Sequence, residues 1–288
     1  CGILTLFNAE KCGFPQRQNL AACVWCAGKG RTLCAKMERR CTERGEASVK
    51  KRILLGLISV FKVLYNAVYA VMKLRPMQKK VVMISRQSNS QRPDFEQLGA
   101  EIEARDPGVR LVYLCREMGD TPLELLCYCF HLLHCAAELS TAHVCIIDGY
   151  CIPVSVLHHR KELRVVQVWH ALGAIKKFGR QALSVPGGRD KELAERMGMH
   201  KHYDAVLCAS HRTAKAYEEA FGVSADKMRV TGVPRVDAIL KMNRARCRRR
   251  FFAAYPELRG QKIVLYAPTF RDGEQMPEIE PLITAAEK

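Results

Sequence analysis

Beyond residue 80 the chain repeats one pattern, in which a short, continuously apolar run is followed by a longer stretch with helical spacing of its apolar residues. A strand exposed on one face alternates apolar with polar residues, whereas continuous apolar runs indicate strands that are buried on both faces. Such strands, separated by helices, predict a doubly wound α/β domain with a parallel sheet. The candidate strands are residues 81–84, 110–114, 144–147, 164–169, 205–209, 228–230 and 263–267.

In the segments between these strands, the apolar residues recur with the spacing of a helix. In a doubly wound sheet, ligands bind in the crevice outside the carboxyl ends of the strands. Functional side chains are therefore expected in the loops that directly follow strands, and three such loops carry groups suited to phosphate chemistry. The candidate helices are residues 95–104, 122–139, 191–199, 212–221 and 236–252.

The first loop reads Trp-His-Ala-Leu-Gly-Ala-Ile-Lys-Lys-Phe-Gly at residues 169–179. His170 is a candidate general base, because an imidazole with an ordinary pKa of ~6.5 can take a proton from a hydroxyl near neutral pH. Lys176 and Lys177 are candidate phosphate ligands. A histidine at a strand end can equally be a structural hydrogen-bonding group, and the loop alone leaves both interpretations open.

The other two loops each combine a turn with an arginine. Residues 230–237 read Val-Thr-Gly-Val-Pro-Arg-Val-Asp, so Arg235 is a candidate phosphate ligand at a helix N-terminus. The structural alternative is a helix cap in which Asp237 pairs with Arg235. The third loop ends in Ala-Pro-Thr-Phe-Arg-Asp, and it offers Arg271 and Asp272 as phosphate or substrate ligands unless it is an ordinary surface turn.

Residues 1–48 form a compositional unit that holds six of the fourteen cysteines and has little periodic hydrophobicity. A Cys-x-x-Cys pair with two later cysteines could supply four thiolates to a zinc ion. The two later cysteines are not separated by two to four residues, as they would be in a zinc knuckle. A Cys-rich leader segment of uncertain order is therefore the preferred interpretation. Most other cysteines lie in apolar runs, which is typical of reduced core residues in a cytosolic protein. The candidate zinc ligands are Cys23, Cys26, Cys34 and Cys41.

Residues 49–80 contain a long apolar segment flanked by basic clusters. A lysine near its middle would cost ~2.5–3.5 kcal/mol in a bilayer-spanning helix. The segment is therefore interpreted as an amphipathic helix in the plane of an anionic membrane surface, with its lysine groups at the phosphates. The alternative is a soluble helix packed on the domain. Polar positions recur every three or four residues as one narrow stripe, at Gly56, Ser59, Lys62, Asn66 and Lys73.

The formal net charge of +17 predicts an anionic partner, which could be nucleic acid, anionic lipid or a phosphate-rich substrate. Five arginines between residues 244 and 250 make a basic nucleic-acid-binding α/β protein the alternative function. Poor interleaving of aromatic residues and the lack of a recognised binding motif disfavour it. Residues 81–288 contain no cluster that calls for a metal, and no cofactor is expected.

Together and in this order, the three loops resemble those of the CDP-glycerol glycerophosphotransferase family of teichoic acid synthesis, over about residues 50–275. The resemblance implies a two-domain GT-B fold at the cytoplasmic face of the cell membrane. It also implies transfer of glycerol phosphate from CDP-glycerol, or ribitol phosphate from CDP-ribitol, to a lipid-linked acceptor with release of CMP. His170 matches the family histidine that activates the acceptor. Residues 171–174 read Ala-Leu-Gly-Ala where the family more commonly has Gly-Thr-Pro, which leaves the acceptor open.

The resemblance and the composition together predict four segments. In the family, the C-terminal domain carries a second functional histidine and most of the nucleotide site, so an inactive fragment is a further alternative for this chain. The segments are a Cys-rich leader at 1–48, a membrane-associating helix at 49–80, a Rossmann-like acceptor domain at 81–259 and the start of a truncated C-terminal domain at 260–288.

Overall fold

A computed structural model of the chain describes the backbone of residues 30–185, 188–261 and 263, and side chains from residue 49 onward. The chain divides into two compact units, Cys1–Leu57 and Ile58–Lys288, and the site described below lies within the second. The side chains proposed as zinc ligands, the strand at 263–267 apart from its first residue, Arg271 and Asp272 lie outside the described residues.

Within the described residues, six parallel strands form one sheet in the order β2-β1-β3-β4-β5-β6, which confirms the predicted α/β fold. The central strands β1 and β3 are almost wholly buried because their apolar side chains face helices on both sides. The strands are β1 (Gln78–Ser85), β2 (Arg110–Cys115), β3 (Ala142–Ile147), β4 (Arg164–Gln167), β5 (Ala205–Cys208) and β6 (Met228–Val230).

Two apolar clusters, one on each face of the sheet, form the core. One face carries α2 and α7, and the other carries α1, α3, α4 and α6. The helices are α1 (Gly30–Met72), α2 (Pro93–Arg105), α3 (Pro122–Leu139), α4 (Ile152–Val156), α5 (Lys191–Arg196), α6 (His211–Phe221), α7 (Pro234–Leu240) and α8 (Arg244–Ala254).

The single helix predicted for residues 236–252 is wrong, because the structure has two helices there. The side chain of Asn243 accepts the N–H of Arg246 at 2.9 Å and so starts α8 after the end of α7. Asparagine caps helices well because its side-chain oxygen satisfies a backbone donor that the first turn leaves unpaired. The arginine-rich α8 is exposed along nearly its whole length, as expected for a solvated basic face.

The polar stripe of α1 faces the protein, contrary to the expectation that its lysines lie at lipid phosphates. The side chains of Lys62, Asn66 and Lys73 donate hydrogen bonds of 2.9, 2.9 and 2.7 Å to backbone carbonyls of the α/β unit. Lys62 and Asn66 are four residues apart, and Asn66 and Lys73 are seven apart, so the three donors share one helix face and fasten the C-terminal part of α1. The accepting carbonyls belong to Arg196, Val156 and His158.

A buried ion pair joins α2 to α7 on the opposite face of the sheet. Asp94, in the first turn of α2, is fully buried and accepts the backbone N–H and the Nε–H of Arg235, each at 2.9 Å. A second guanidinium nitrogen of Arg235 bonds to the same carboxylate. Removing one partner of such a pair leaves an uncompensated buried charge, which costs about 3–5 kcal/mol.

We therefore expect Asp94→Ala to lower the free energy of unfolding by about 3 kcal/mol or more. Glu101→Ala is the matched control, because Glu101 pairs with Arg105 on the same helix but is well exposed and should cost less than about 1 kcal/mol. Urea unfolding followed by circular dichroism measures both. Equal midpoints for the two variants would contradict a structural role for the buried pair.

Candidate functional site

A cavity of about 390 Å³ opens among the loops that follow β1, β3 and β4. After β1 the chain forms β2 on one side of β1 and then β3 on the other side. The strand order therefore reverses between β1 and β3. Ligands of doubly wound sheets bind at this point, outside the carboxyl ends of the strands. The position of the cavity therefore agrees with the expectation from the sequence.

The side chain of Gln167 determines where β4 ends. It is fully buried, its Oε1 accepts the N–H of Trp169 at 2.8 Å, and its Nε2 donates to the carbonyl of Gly149 at 3.1 Å. Trp169 adopts a left-handed conformation with φ of 56°, which turns the chain out of the sheet. The strand predicted for residues 164–169 consequently stops two residues early, and His170 enters the cavity lining.

The ring of His170 has a defined tautomer. Its Nδ1 lies 2.8 Å from the backbone carbonyl of Asp148. A carbonyl oxygen can only accept, so Nδ1 carries the proton and the neutral ring keeps its lone pair on Nε2. Among the described residues no hydrogen bond occupies Nε2, and the ring is partly exposed beside Trp169, with centroids 4.1 Å apart. This arrangement suits a general base.

Asp148 ties the end of β3 to the end of β1. Its carboxylate is almost completely buried and accepts the hydroxyl of Ser85 at 2.7 Å, while the Nε of Arg92 lies 3.4 Å away. Burial raises the pKa of Asp148, and the Ser85 hydroxyl and the Arg92 guanidinium oppose that rise. The carbonyl that orients His170 therefore belongs to a residue whose side chain is also fixed.

Three cationic side chains line the cavity, and among the described residues of its lining there is no carboxylate. They are Arg86, Lys177 and Arg189. The guanidinium carbons of Arg86 and Arg189 lie 5.9 and 5.7 Å from the ring centroid of Tyr150, so the ring helps to position both. Guanidinium groups bind phosphate oxygens through paired hydrogen bonds, and the cavity is therefore suited to a phosphate group.

The second histidine of the cavity, His200, is unsuited to proton transfer near neutral pH. Burial, with contributions from Arg189 and Arg180, lowers its pKa to about 3. Its Nδ1 forms a 2.9 Å hydrogen bond with the hydroxyl of Tyr203 in the core. Of the two imidazoles in the cavity lining, His170 is therefore the one placed to act as a base.

The structure brings together some of the side chains singled out from the sequence. His170 and Lys177 line the same cavity, whereas Lys176 is exposed and does not contribute to the lining. Arg235 is engaged by Asp94, and it also donates to the backbone carbonyl of His170 at 2.6 Å. Arg235 thus supports the His170 loop through its backbone, and its carboxylate partner is Asp94 and not Asp237, the partner in the structural alternative.

Sequence reasoning missed Arg86, Arg189 and Asp148. Asp148 directly follows the predicted strand at 144–147, and Arg86 lies two residues after the one at 81–84, so the rule that selected His170 could have found both. Arg189 lies between elements and carries no comparable signal. Among the described residues, no group of three or more histidine, cysteine or acidic side chains is arranged to hold a metal ion.

Comparison with solved structures supports the fold. Two structures of the wall teichoic acid polymerase TagF, one of them a variant soaked with CDPG, match with TM-scores of 0.52 and 0.53. The matches cover 78 and 81% of this chain and 58 and 62% of the TagF chains, at 15 and 14% identity. The sheet and its helices thus define a GT-B-like α/β domain.

Sequence comparison gives the family. The profile of the CDP-Glycerol:Poly(glycerophosphate) glycerophosphotransferase family matches residues 67–287, and the chain belongs to that family. A teichoic acid ribitol-phosphate primase of Bacillus spizizenii is 31% identical over 75% of this chain. A teichoic acid glycerol-phosphate primase of Bacillus subtilis is 30% identical over 49% of it. The chain spans 56 and 36% of the lengths of these two relatives.

The geometry around His170 predicts a tautomer that can be measured. In ¹⁵N-detected NMR at pH 8, we expect His170 to carry its proton on Nδ1, and we expect Gln167→Leu to weaken that preference by releasing Trp169 and Gly149. Gln181→Leu is the control, because Gln181 forms its amide hydrogen bond at the surface. A proton on Nε2 in the unmodified protein would contradict the assigned geometry.

Proposed function

We propose that the protein transfers glycerol phosphate or ribitol phosphate from CDP-glycerol or CDP-ribitol to a lipid-linked acceptor in the synthesis of a teichoic-acid-like polymer. The observation that carries this proposal is the position of His170, whose Nδ1 is held by the carbonyl of Asp148 in a cavity lined by three cations. Family membership supplies the reaction class. The names of the relatives, which include ribitol-phosphate and glycerol-phosphate primases, supply the two alternative polyols.

In the proposed reaction, Nε2 of His170 takes the proton of an acceptor hydroxyl as its oxygen attacks the β-phosphorus of the CDP-polyol. The bond from that phosphorus to the bridging oxygen breaks, and CMP leaves with the bonding electrons. Lys177, Arg86 and Arg189 stabilise negative charge on phosphate groups at the site. The hydrogen bond from Nδ1 to Asp148 keeps the ring oriented, so little reorganisation is needed as the proton moves.

We expect His170→Ala in the full-length protein to lower the rate of CMP release by about 100-fold or more, the usual contribution of a positioned general base. His143→Ala is the matched control. The Nδ1 of His143 also forms a hydrogen bond with a backbone carbonyl, that of Gln78, at 2.7 Å. His143 is exposed, however, and lies at the opposite end of β3. A His170→Ala rate within about threefold of the unmodified enzyme would remove the base from the mechanism.

We propose further that the protein lies on the cytoplasmic face of the membrane through the outer faces of α1 and α3. The hydroxyl of Tyr65 on α1 donates to the carbonyl of Leu132 on α3 at 2.5 Å, so the two helices are neighbours. With the polar stripe of α1 turned inward, large apolar side chains remain exposed on both helices. They are Val60, Phe61, Val63, Leu64, Val68 and Val71 on α1, and Leu123, Leu125, Leu126, Phe130 and Leu133 on α3.

Charge supports a bilayer as the partner of this two-helix surface. Three basic residues at positions 50–52 precede the apolar part of α1, and the formal net charge of the chain is +17, which together favour an anionic lipid surface. By length and composition Val49–Met72 could cross a membrane. The hydrogen bonds of Lys62, Asn66 and Lys73 instead hold the C-terminal part of α1 against the α/β unit, so the proposal is a helix segment that lies in the membrane plane.

Leu64→Asp and Phe130→Asp should each weaken flotation with phosphatidylglycerol vesicles by about tenfold, because burial of one such side chain contributes about 1.5–3 kcal/mol. Ile239→Asp is the control, since Ile239 is comparably exposed on α7, on the other face of the sheet. If Phe130→Asp binds vesicles as well as Ile239→Asp does, α3 does not contact lipid. Reduced oligomerisation with unchanged flotation would identify the surface as a protein interface.

A further inference from the structure

A second cavity, of about 490 Å³, lies at the opposite edge of the sheet from His170. Its lining comes from the segment before β4, the segment before β5 and the residue before β6, so it is formed at the amino ends of these strands. Neither the proposed transfer reaction nor the sequence motifs assign it a role. It also borders the end of α1, because Lys73 donates to the carbonyl of His158.

The cavity lining is rich in basic groups with unused hydrogen-bond donors. Lys161 is exposed, and no described residue pairs with its ammonium group. Lys227 uses one of its three N–H groups, toward the carbonyl of Tyr203 at 2.7 Å. The Nε of Arg160 is buried and has no hydrogen-bond partner among the described residues. The rings of His158 and His202 add further donors to the same lining.

The negative charge in the lining is already satisfied. Asp204 is the acidic residue among the described lining residues, and one of its oxygens accepts the backbone N–H of Val165 at 2.8 Å. The other accepts from the guanidinium of Arg164 at 3.3 Å. Because both oxygens of this carboxylate already accept hydrogen bonds, no described residue of the lining offers an unengaged carboxylate to the cations.

The chemistry of the histidines favours an anion over a metal ion. His159 donates its Nε2–H to the carbonyl of Val154 at 2.9 Å, and its Nδ1 accepts the hydroxyl of Tyr69 at 3.0 Å, so neither nitrogen is available to a metal. That leaves His158 and His202 beside three cations, which would repel a divalent ion. Ammonium, guanidinium and imidazole donors together are the groups that bind phosphate.

From these contacts we infer that the amino-edge cavity, formed around Arg160, Lys161, His202 and Lys227, is a second binding site for a phosphate mono- or diester. The phosphate could come from a lipid headgroup, since the cavity borders the end of α1, or from a free phosphate ester. This site goes beyond the proposed transfer reaction and does not depend on it. The shared ligand chemistry is one phosphate group held by N–H donors of the cavity lining.

The test uses the full-length protein with inorganic phosphate, glycerol phosphate and phosphatidylglycerol vesicles as probes. Histidine-ring NMR resolves the two cavities, because His158 and His202 report on one and His170 on the other. Lys161→Glu reverses an exposed charge in the lining, and Lys215→Glu makes the same change on α6, where Lys215 lines neither cavity. Exposure of both lysines means that neither substitution should disturb folding.

We expect phosphate or glycerol phosphate to shift the rings of His158 and His202, and Lys161→Glu to weaken that binding by about tenfold while Lys215→Glu changes it less than about twofold. Binding of the soluble esters assigns a free phosphate. Loss of vesicle flotation in Lys161→Glu alone, without soluble binding, assigns a lipid headgroup. Equal losses of binding in the two variants would overturn the inference, since general positive charge would then explain the binding. NMR shifts confined to the His170 ring would also overturn it, since the first cavity would then be the binding site.

Discussion

The buried hydrogen bonds that join the ends of three parallel strands set the geometry of the whole site. Gln167 links the end of β4 to Gly149 after β3, and Asp148 links β3 to Ser85 at the end of β1. Each bond satisfies a polar group that would otherwise be buried without a partner, at a cost of about 1–3 kcal/mol per group. The left-handed Trp169 is tolerated because this network holds it, and its conformation delivers His170 to the cavity.

The arginine that the sequence marked for phosphate shows how one residue can serve a site indirectly. Arg235 connects three elements, because its guanidinium pairs with Asp94 on α2 and donates to the backbone of the His170 loop while its own backbone begins α7. A guanidinium held this way is a rigid support. The charges that face the cavity come from Arg86, Lys177 and Arg189 instead.

The regular part of the fold could be predicted from the sequence because it depends on local periodicity. Short runs rich in β-forming residues located the six strands of the described residues, and each predicted strand end lies within a few residues of its observed position. The remaining features depend on contacts between residues far apart in the chain. The hydrogen bond of Gln167 to Gly149 helps to end β4 early, and Asp94 pairs with Arg235, which is 141 positions away in the chain. Spacing rules for neighbouring residues cannot predict contacts of this kind.

The orientation of α1 was the expectation most clearly reversed, and the reason is physical. The polar side chains of a narrow stripe on an apolar helix can be satisfied in two ways. They can contact lipid phosphates, or they can donate hydrogen bonds to unpaired carbonyls of the same chain. Here Lys62, Asn66 and Lys73 find backbone carbonyls of the α/β unit, so the broad apolar face turns outward. The same row of bonds that fastens α1 to the domain thus creates the apolar surface, and that surface extends onto α3 through the contact of Tyr65 with Leu132.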